Sequence, residues 1–164
     1  MPLKNYTTEV PALKSIGQIQ GNLVAHGASS IMITYNVGKE PESLSFIIPA
    51  AQGDIPFRLP ANIAAVAKVL EKQFPGRRNL YDREVIEARD KKRLEQASKI
   101  AWRIIKDWVD AQLAIIETEM VTIEQVFLPY MLVKDGQQTL YETMVERRFL
   151  LGEGDFGTKT IKEQ

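Results

Sequence analysis

One segment limits the architecture more than any other. From Arg83 to Glu117 the chain holds no proline or glycine, and Leu94, Ala97, Ala101, Ile104, Trp108, Ala111 and Ile115 recur at alternating spacings of three and four. That is the spacing of a helix seam, and it predicts one long helix across the whole segment, with Asp82 as its N-cap. Ile100, Ile105, Val109 and Ile116 widen the apolar surface beyond a narrow stripe, so the helix must be covered on more than one side. It is expected to be the central helix of the domain or part of a dimer interface. Gln96, Lys99, Arg103, Lys106 and Asp110 fall on the remaining polar face.

The residues before this helix change period. Ser15 to His26 carries Ile16, Ile19, Leu23 and Val24 at helical spacing, with Ser15 as an expected N-cap and Gly27 as a stop. Gly17 and Gly21 weaken that helix, and close packing against a sheet would explain them. Three alternating runs follow. Ile31, Ile33 and Tyr35 share one face, then Leu44, Phe46 and Ile48, then Ile55, Phe57 and Leu59. Pro56 puts the third run at an edge. Short connections make an antiparallel meander the expected arrangement, with the first helix on its apolar face. Pro60 opens a second helix, Ala61 to Gln73, and Asn79 to Asp82 connects it to the long one.

Beyond the long helix, Thr122 with Gln125 and Thr139 with Glu142 have capping-box spacing. They predict two short helices around a strand at Tyr130 to Val133 and a tight turn at Asp135-Gly136. The fold class is therefore α+β: an N-terminal helix on a three-stranded antiparallel meander, followed by a helical half. Residues 1–151 form a single domain in this reading. Residues 152–164 are a disordered tail, because they offer little apolar area to bury.

Composition removes several function classes. The 164 residues contain no cysteine and one histidine, which excludes disulfides, zinc–thiolate sites, cysteine nucleophiles and a histidine metal cluster. Lys+Arg and Asp+Glu are both 21, so bulk charge does not draw the chain to a polyanion. No phosphate-binding glycine loop, nucleophile elbow or H-E-x-x-H motif occurs. No metal and no cofactor is expected, and the balance leans away from an enzyme. Met1 to Val10 lacks a signal-peptide core, and no stretch approaches the ~20 apolar residues of a membrane span. The expected location is the cytoplasm.

Four groups of residues are candidates for function, each with a plainer reading beside it. Arg103 and Asp107 sit four apart and could line a pocket with Trp102, or form an ordinary solvent-facing pair with Lys106–Asp110 beside it. Arg58 projects from the sheet face opposite the core, beside Thr34 and Ser45 in a simple register, with Met32 and Ile47 on the same face. It would bind a ligand there or guard an edge strand against aggregation. Arg77, Arg78, Tyr81, Lys91, Lys92 and Arg93 could meet a nucleic-acid backbone. However, the span Arg77 to Lys99 has eight basic and five acidic residues, the composition of a solvated helix. His26 has no acid near it in sequence and suits a helix C-terminus on the macrodipole alone.

The run Ala101-Trp102-Arg103-Ile104-Ile105-Lys106-Asp107-Trp108-Val109-Asp110-Ala111-Gln112, followed by Val126-Phe127-Leu128-Pro129-Tyr130, resembles a family of small bacteriophage and prophage proteins of no known activity. Lys4-Asn5-Tyr6-Thr7-Thr8 and Phe57-Arg58-Leu59-Pro60 fit the same resemblance, which covers the chain to about Leu151. It implies a phage accessory role. The leading expectation is a non-enzymatic protein that binds a host macromolecule, with inhibition of a defence system such as a CRISPR nuclease as one form. The alternatives are a single-strand nucleic-acid-binding protein and a protein that sequesters a small nucleotide near Arg58 or Arg103. A homodimer is expected through the long-helix seam at Leu94, Ala101, Ile104, Trp108 and Ile115.

Overall fold

The computed structural model describes residues 1–76, 82–133 and 136–149. The expected tail and the Asn79–Tyr81 connector lie outside them. The architecture is α+β, as the periodicities require. Helix α1 (Ala12–Ala25) leads into strands β1 (Ser30–Tyr35), β2 (Pro41–Ile48) and β3 (Ile55–Pro60), which form an antiparallel sheet in the order β1-β2-β3. Helices α2 (Ile63–Gln73) and α3 (Arg83–Glu117) follow. A short helix α4 (Ile123–Phe127) runs into a single 3-10 turn at Leu128–Tyr130. The hairpin β4 (Leu132–Val133) and β5 (Gln138–Thr139) and the helix α5 (Leu140–Glu146) complete the described chain.

Local chemistry fixes most boundaries. The Asp82 carboxylate accepts from the backbone N–H groups of Glu84 and Val85 and starts α3. Both capping boxes form, Thr122 with Gln125 at α4 and Thr139 with Glu142 at α5. Three expectations about the helices fail. Helix α1 begins at Ala12 behind Pro11, so Ser15 lies inside the helix, buried, with its hydroxyl unpartnered. Pro60 ends β3 opposite Ser43, and α2 starts at Ile63 with Asn62 accepting from Ala65 N–H. Gly17 and Gly21 face open space, so close packing is not their reason.

The core lies between the sheet and the helices. Ile16, Ile19 and Leu23 of α1 and Trp102, Val109 and Leu113 of α3 meet Leu44, Phe46, Phe57 and Leu59 of the sheet. Phe46 stacks on Phe57 at 5.1 Å between centroids, and Phe127 meets both edge-on. Burying such rings moves ~150–250 Å² each out of water, which makes this cluster the main source of stability. A second cluster, around Leu70, Ala97 and Ile100, joins α2 to α3.

The polar face of α3 is not left to solvent. Residues 4–9 lie along it as a strap, while Met1 and Leu3 bond to Gln73 of α2. Gln96 donates to the Tyr6 and Thr8 carbonyls, Lys99 pairs with Glu9 at 3.4 Å, and Tyr6 stacks on Phe74 at 5.2 Å. Helix α1 takes the rest: Asn22 donates to Asp110 at 2.7 Å, and Arg103 donates to Gln18 at 3.2 Å.

The heptad seam divides between interior and surface. Ala97 and Ala101 are buried inside this chain, and Trp108 packs edge-on against Phe127 and Tyr130, both at 5.5 Å. Leu94 and Ile115 at the two ends are exposed, and Ile104 is half-buried against the α2 cluster. The seam therefore does not form a continuous exposed stripe. Its middle is consumed by α2, α4 and the 3-10 turn, and Ala101 and Trp108 are spent within the chain.

Candidate functional site

The meander places nine residues on the sheet face turned away from the helices, in three cross-strand rows. Ser30 opposes Ile47, which opposes Pro56. Met32 opposes Ser45, which opposes Arg58. Thr34 opposes Ser43, which opposes Pro60. Because side chains alternate across a strand, the intervening rows, Ile31-Phe46-Phe57 and Ile33-Leu44-Leu59, all point to the core. The outer rows line a trough of about 770 Å³. That volume falls within the range of small-molecule sites.

The trough has an asymmetric outline. Its floor is low because the middle strand contributes two serines there. Arg58 stands beside them, opposite Ser45 as expected, whereas Thr34 lies one row away opposite Ser43. On the β3 side Leu132, Gly136 and Glu142 form a wall, carried by the β4–β5 hairpin and α5. At the Thr34-Ser43-Pro60 end the start of α2 closes it with Ala61 and Asn62. No described element flanks the β1 side.

Arg58 is held in place. Its guanidinium donates to Glu142 Oε2 at 2.9 Å, and its side chain is 28% exposed. Glu142 also accepts from Thr139 N–H at 2.7 Å in the α5 capping box. The Thr139 backbone hydrogen bond is the largest influence on the Glu142 carboxyl and lowers its pKa. Burial pushes the other way, and the Thr139 hydroxyl and Arg58 add to the lowering. Glu142 is thus kept ionised, with Oε2 accepting from both Thr139 and Arg58. Among the described residues the hydroxyls of Thr34, Ser43 and Ser45 meet no hydrogen-bond partner, and Ser43 is only 8% exposed. The trough offers apolar walls, a fixed donor–acceptor pair in Arg58 and Glu142, and free hydroxyls on its floor. Strand β3 is the edge opposite β1, reached by the isolated Phe57–Met131 bridge, and Arg58 pairs there with Glu142.

The other candidates are placed differently. Asp107 is 23% exposed and its carboxylate is fully engaged, with Lys4 at 3.0 Å, Asn5 at 3.1 Å, Arg103 at 3.8 Å and Lys106 at 3.9 Å. Burial raises its pKa, and the Asn5 and Lys4 hydrogen bonds with the Lys4 and Arg103 charges outweigh it, leaving the pKa below the ordinary value. This carboxylate fastens the N-terminal strap through Oδ2, and the Arg103 and Lys106 charges lie beside Oδ1. Trp102 does not join it: the indole is fully buried and donates to the Pro41 carbonyl at 3.1 Å. Sequence separation of about a hundred residues hid Lys4 and Asn5 as the partners.

His26 gains an acid that its neighbours did not announce. Nδ1 lies 2.7 Å from the Asn22 carbonyl and Nε2 lies 2.9 Å from Glu117 of α3, so each ring nitrogen faces an acceptor. Of the basic group, Arg77, Arg78 and Tyr81 lie outside the described residues. Lys91 and Lys92 are exposed, and Arg93 pairs with Asp90 at 3.3 Å and Glu71 at 3.7 Å. Among the described residues no group of three or more His, Asp or Glu side chains could hold a metal ion, and no helix is long and apolar enough to cross a membrane.

The fold and site define a two-layer α+β domain with a helix-covered inner sheet face and a troughed outer one. Comparison with protein-family models, with curated proteins and with solved structures finds no match.

Proposed function

We propose that the chain is a non-catalytic binding protein that sequesters a small ligand of the nucleoside class in the trough on the outer sheet face. The observation that carries this reading is the fixed Arg58–Glu142 pair beside unpaired serine and threonine hydroxyls in a recess of about 770 Å³. A carboxylate and a guanidinium side by side present an acceptor and donors to the edge of a heterocycle, while Met32, Ile47 and Pro56 give its faces apolar contact. Charge refines the class. Among the described residues Arg58 is the one cation lining the trough, against Glu42 and Glu142. A neutral ring therefore suits the floor better than a polyphosphate, and any phosphate would point out of the trough into solvent. Such capture would suit a phage accessory protein that withholds a host signal.

The test is a thermal-shift titration of the full chain with the four ribonucleosides and their 5′-monophosphates. A ligand at 100 times its Kd adds about 2.7 kcal/mol to the folded state, so a binder raises the Tm in a concentration-dependent way. At least one nucleoside is expected to do so, with the shift lost in Arg58→Ala. If none of the eight moves the Tm at millimolar concentration, the nucleoside reading fails.

A further inference from the structure

The β1 side of the sheet carries its own information, independent of any ligand. Among the described residues nothing pairs with the outer edge of β1, whereas beyond β3 the isolated Phe57–Met131 bridge leads into the β4–β5 hairpin. Bare edges are normally blunted by lysine, proline or inward charge. Ser30–Tyr35 has none of these. Met32, 61% exposed, and Tyr35, 52% exposed, sit on it instead.

The order of residues on this edge is nearly palindromic. Residues 30–34 read Ser-Ile-Met-Ile-Thr, with hydroxyls at both ends, isoleucines inside them and Met32 at the centre. Two antiparallel copies related by a two-fold axis normal to the sheet must pair residues that point to the same face. The axis therefore passes through a residue position, not between two. Centred on Met32, it sets Met32 against the partner's Met32 and Ser30 against the partner's Thr34 on the outer face. It sets Ile31 against the partner's Ile33 on the inner face. Within residues 30–34 every position meets its own kind and no charge is buried, while Tyr35 would face the partner's Ser29. Centred on Ile33, it would set Met32 against the partner's Thr34, a thioether against a hydroxyl.

We propose that β1 pairs with β1 of a second copy about Met32, making one six-stranded antiparallel sheet. Ser30, Met32 and Thr34 line the open side of the trough. Pairing would set the partner's Ser30, Met32 and Thr34 beside them, so that each copy completes the side of the other's trough.

The chain has no cysteine, which allows a direct test. Sedimentation equilibrium of the full chain at tens of micromolar is expected to give twice the 18.6 kDa chain mass. Directly opposed Cβ atoms lie ~4.5–5.5 Å apart, close enough for a disulfide after a small shift. Met32→Cys should therefore cross-link two chains under mild oxidation, while Leu94→Cys, on the exposed end of the α3 seam, should not. Met32→Glu opposes two carboxylates on the axis. It should halve the mass while leaving the far-ultraviolet circular dichroism unchanged. A wild-type monomer at several hundred micromolar would overturn the proposal. So would cross-linking through Leu94→Cys in place of Met32→Cys, or a dimer that survives Met32→Glu. Hydrogen exchange supplies the remaining arm: outward β1 amides should exchange more slowly as concentration rises. Protection independent of concentration would mean that the chain covers its own edge, and would also overturn the proposal.

Discussion

The two faces of the three-stranded sheet share the same strands and the same register, yet they have opposite characters. On the inner face Leu44, Phe46, Phe57 and Leu59 are buried and meet α1, α3 and Phe127. On the outer face the equivalent positions hold Ser43, Ser45, Pro56, Arg58 and Pro60, over which no described helix lies. The difference is one residue of phase along each strand. It separates the part of the sheet that stabilises the domain from the part free to meet a ligand. Small residues in the middle strand would be a packing defect on the inner side. On the outer side they make the recess.

The comparison breaks most visibly by exchanging stability between the faces. Phe46→Ala should cost about 3–5 kcal/mol, because it removes the ring on which Phe57 and Phe127 both pack and leaves a cavity that three strands cannot close. Ser45→Ala, its neighbour on the other face, should stay within about 0.5 kcal/mol. Urea unfolding of the two variants gives the contrast directly. Equal losses would mean that the outer face is also a packed interior. An intermediate effect is expected at the trough wall. Thr139→Ala removes the hydroxyl that caps α5 at Glu142 N–H, and should cost about 1 kcal/mol. It should also loosen Glu142 from Arg58, so its effect on nucleoside binding should exceed its effect on Tm. Unchanged binding with the expected stability loss would separate α5 from the site.

The sequence exposes what depends on neighbours in sequence. Asp82, the two capping boxes and the uninterrupted spacing from Leu94 to Ile115 locate α3, α4 and α5, because caps and helical faces are set by residues three or four apart. The sheet faces are legible for the same reason, and the Ser45–Arg58 pairing follows from a short meander connection. What stays hidden is non-local. Glu142 lies 84 positions from Arg58, Glu117 lies 91 from His26, and Asn5 lies 102 from Asp107. No spacing rule links such pairs. Their absence makes Arg58 resemble an edge guard, His26 a residue without an acid, and Asp107 half of a solvent pair. The error at Trp102 is of another kind. Its nearness in sequence to Arg103 suggests a shared pocket, but adjacent helical residues point about 100° apart, and the indole turns to the core.

The smallest effect lies away from the sheet, where the N-terminal strap crosses α3, and it sharpens the contrast between stability held by packing and stability held by charge. Asp107 has a lowered pKa in the folded chain, because the Asn5, Lys4 and Arg103 interactions outweigh the upward push of burial. A depressed carboxylate contributes stability above its unfolded value near 4, and loses it as the pH falls through the lower folded value. Lys4 is largely solvent-exposed, so the contribution belongs with surface ion pairs, at about 1 kcal/mol or less. Asp107→Asn should therefore be less stable than the wild type at pH 7, and the gap should close below pH 4. Glu142 titrates in the same direction in both proteins, so the difference between the two curves isolates Asp107. Urea midpoints from pH 7 to pH 2 measure it. Two curves that fall in parallel would show that the strap is held by Tyr6 on Phe74 and by Gln96 on the strap carbonyls, with the Asp107 charge contributing nothing.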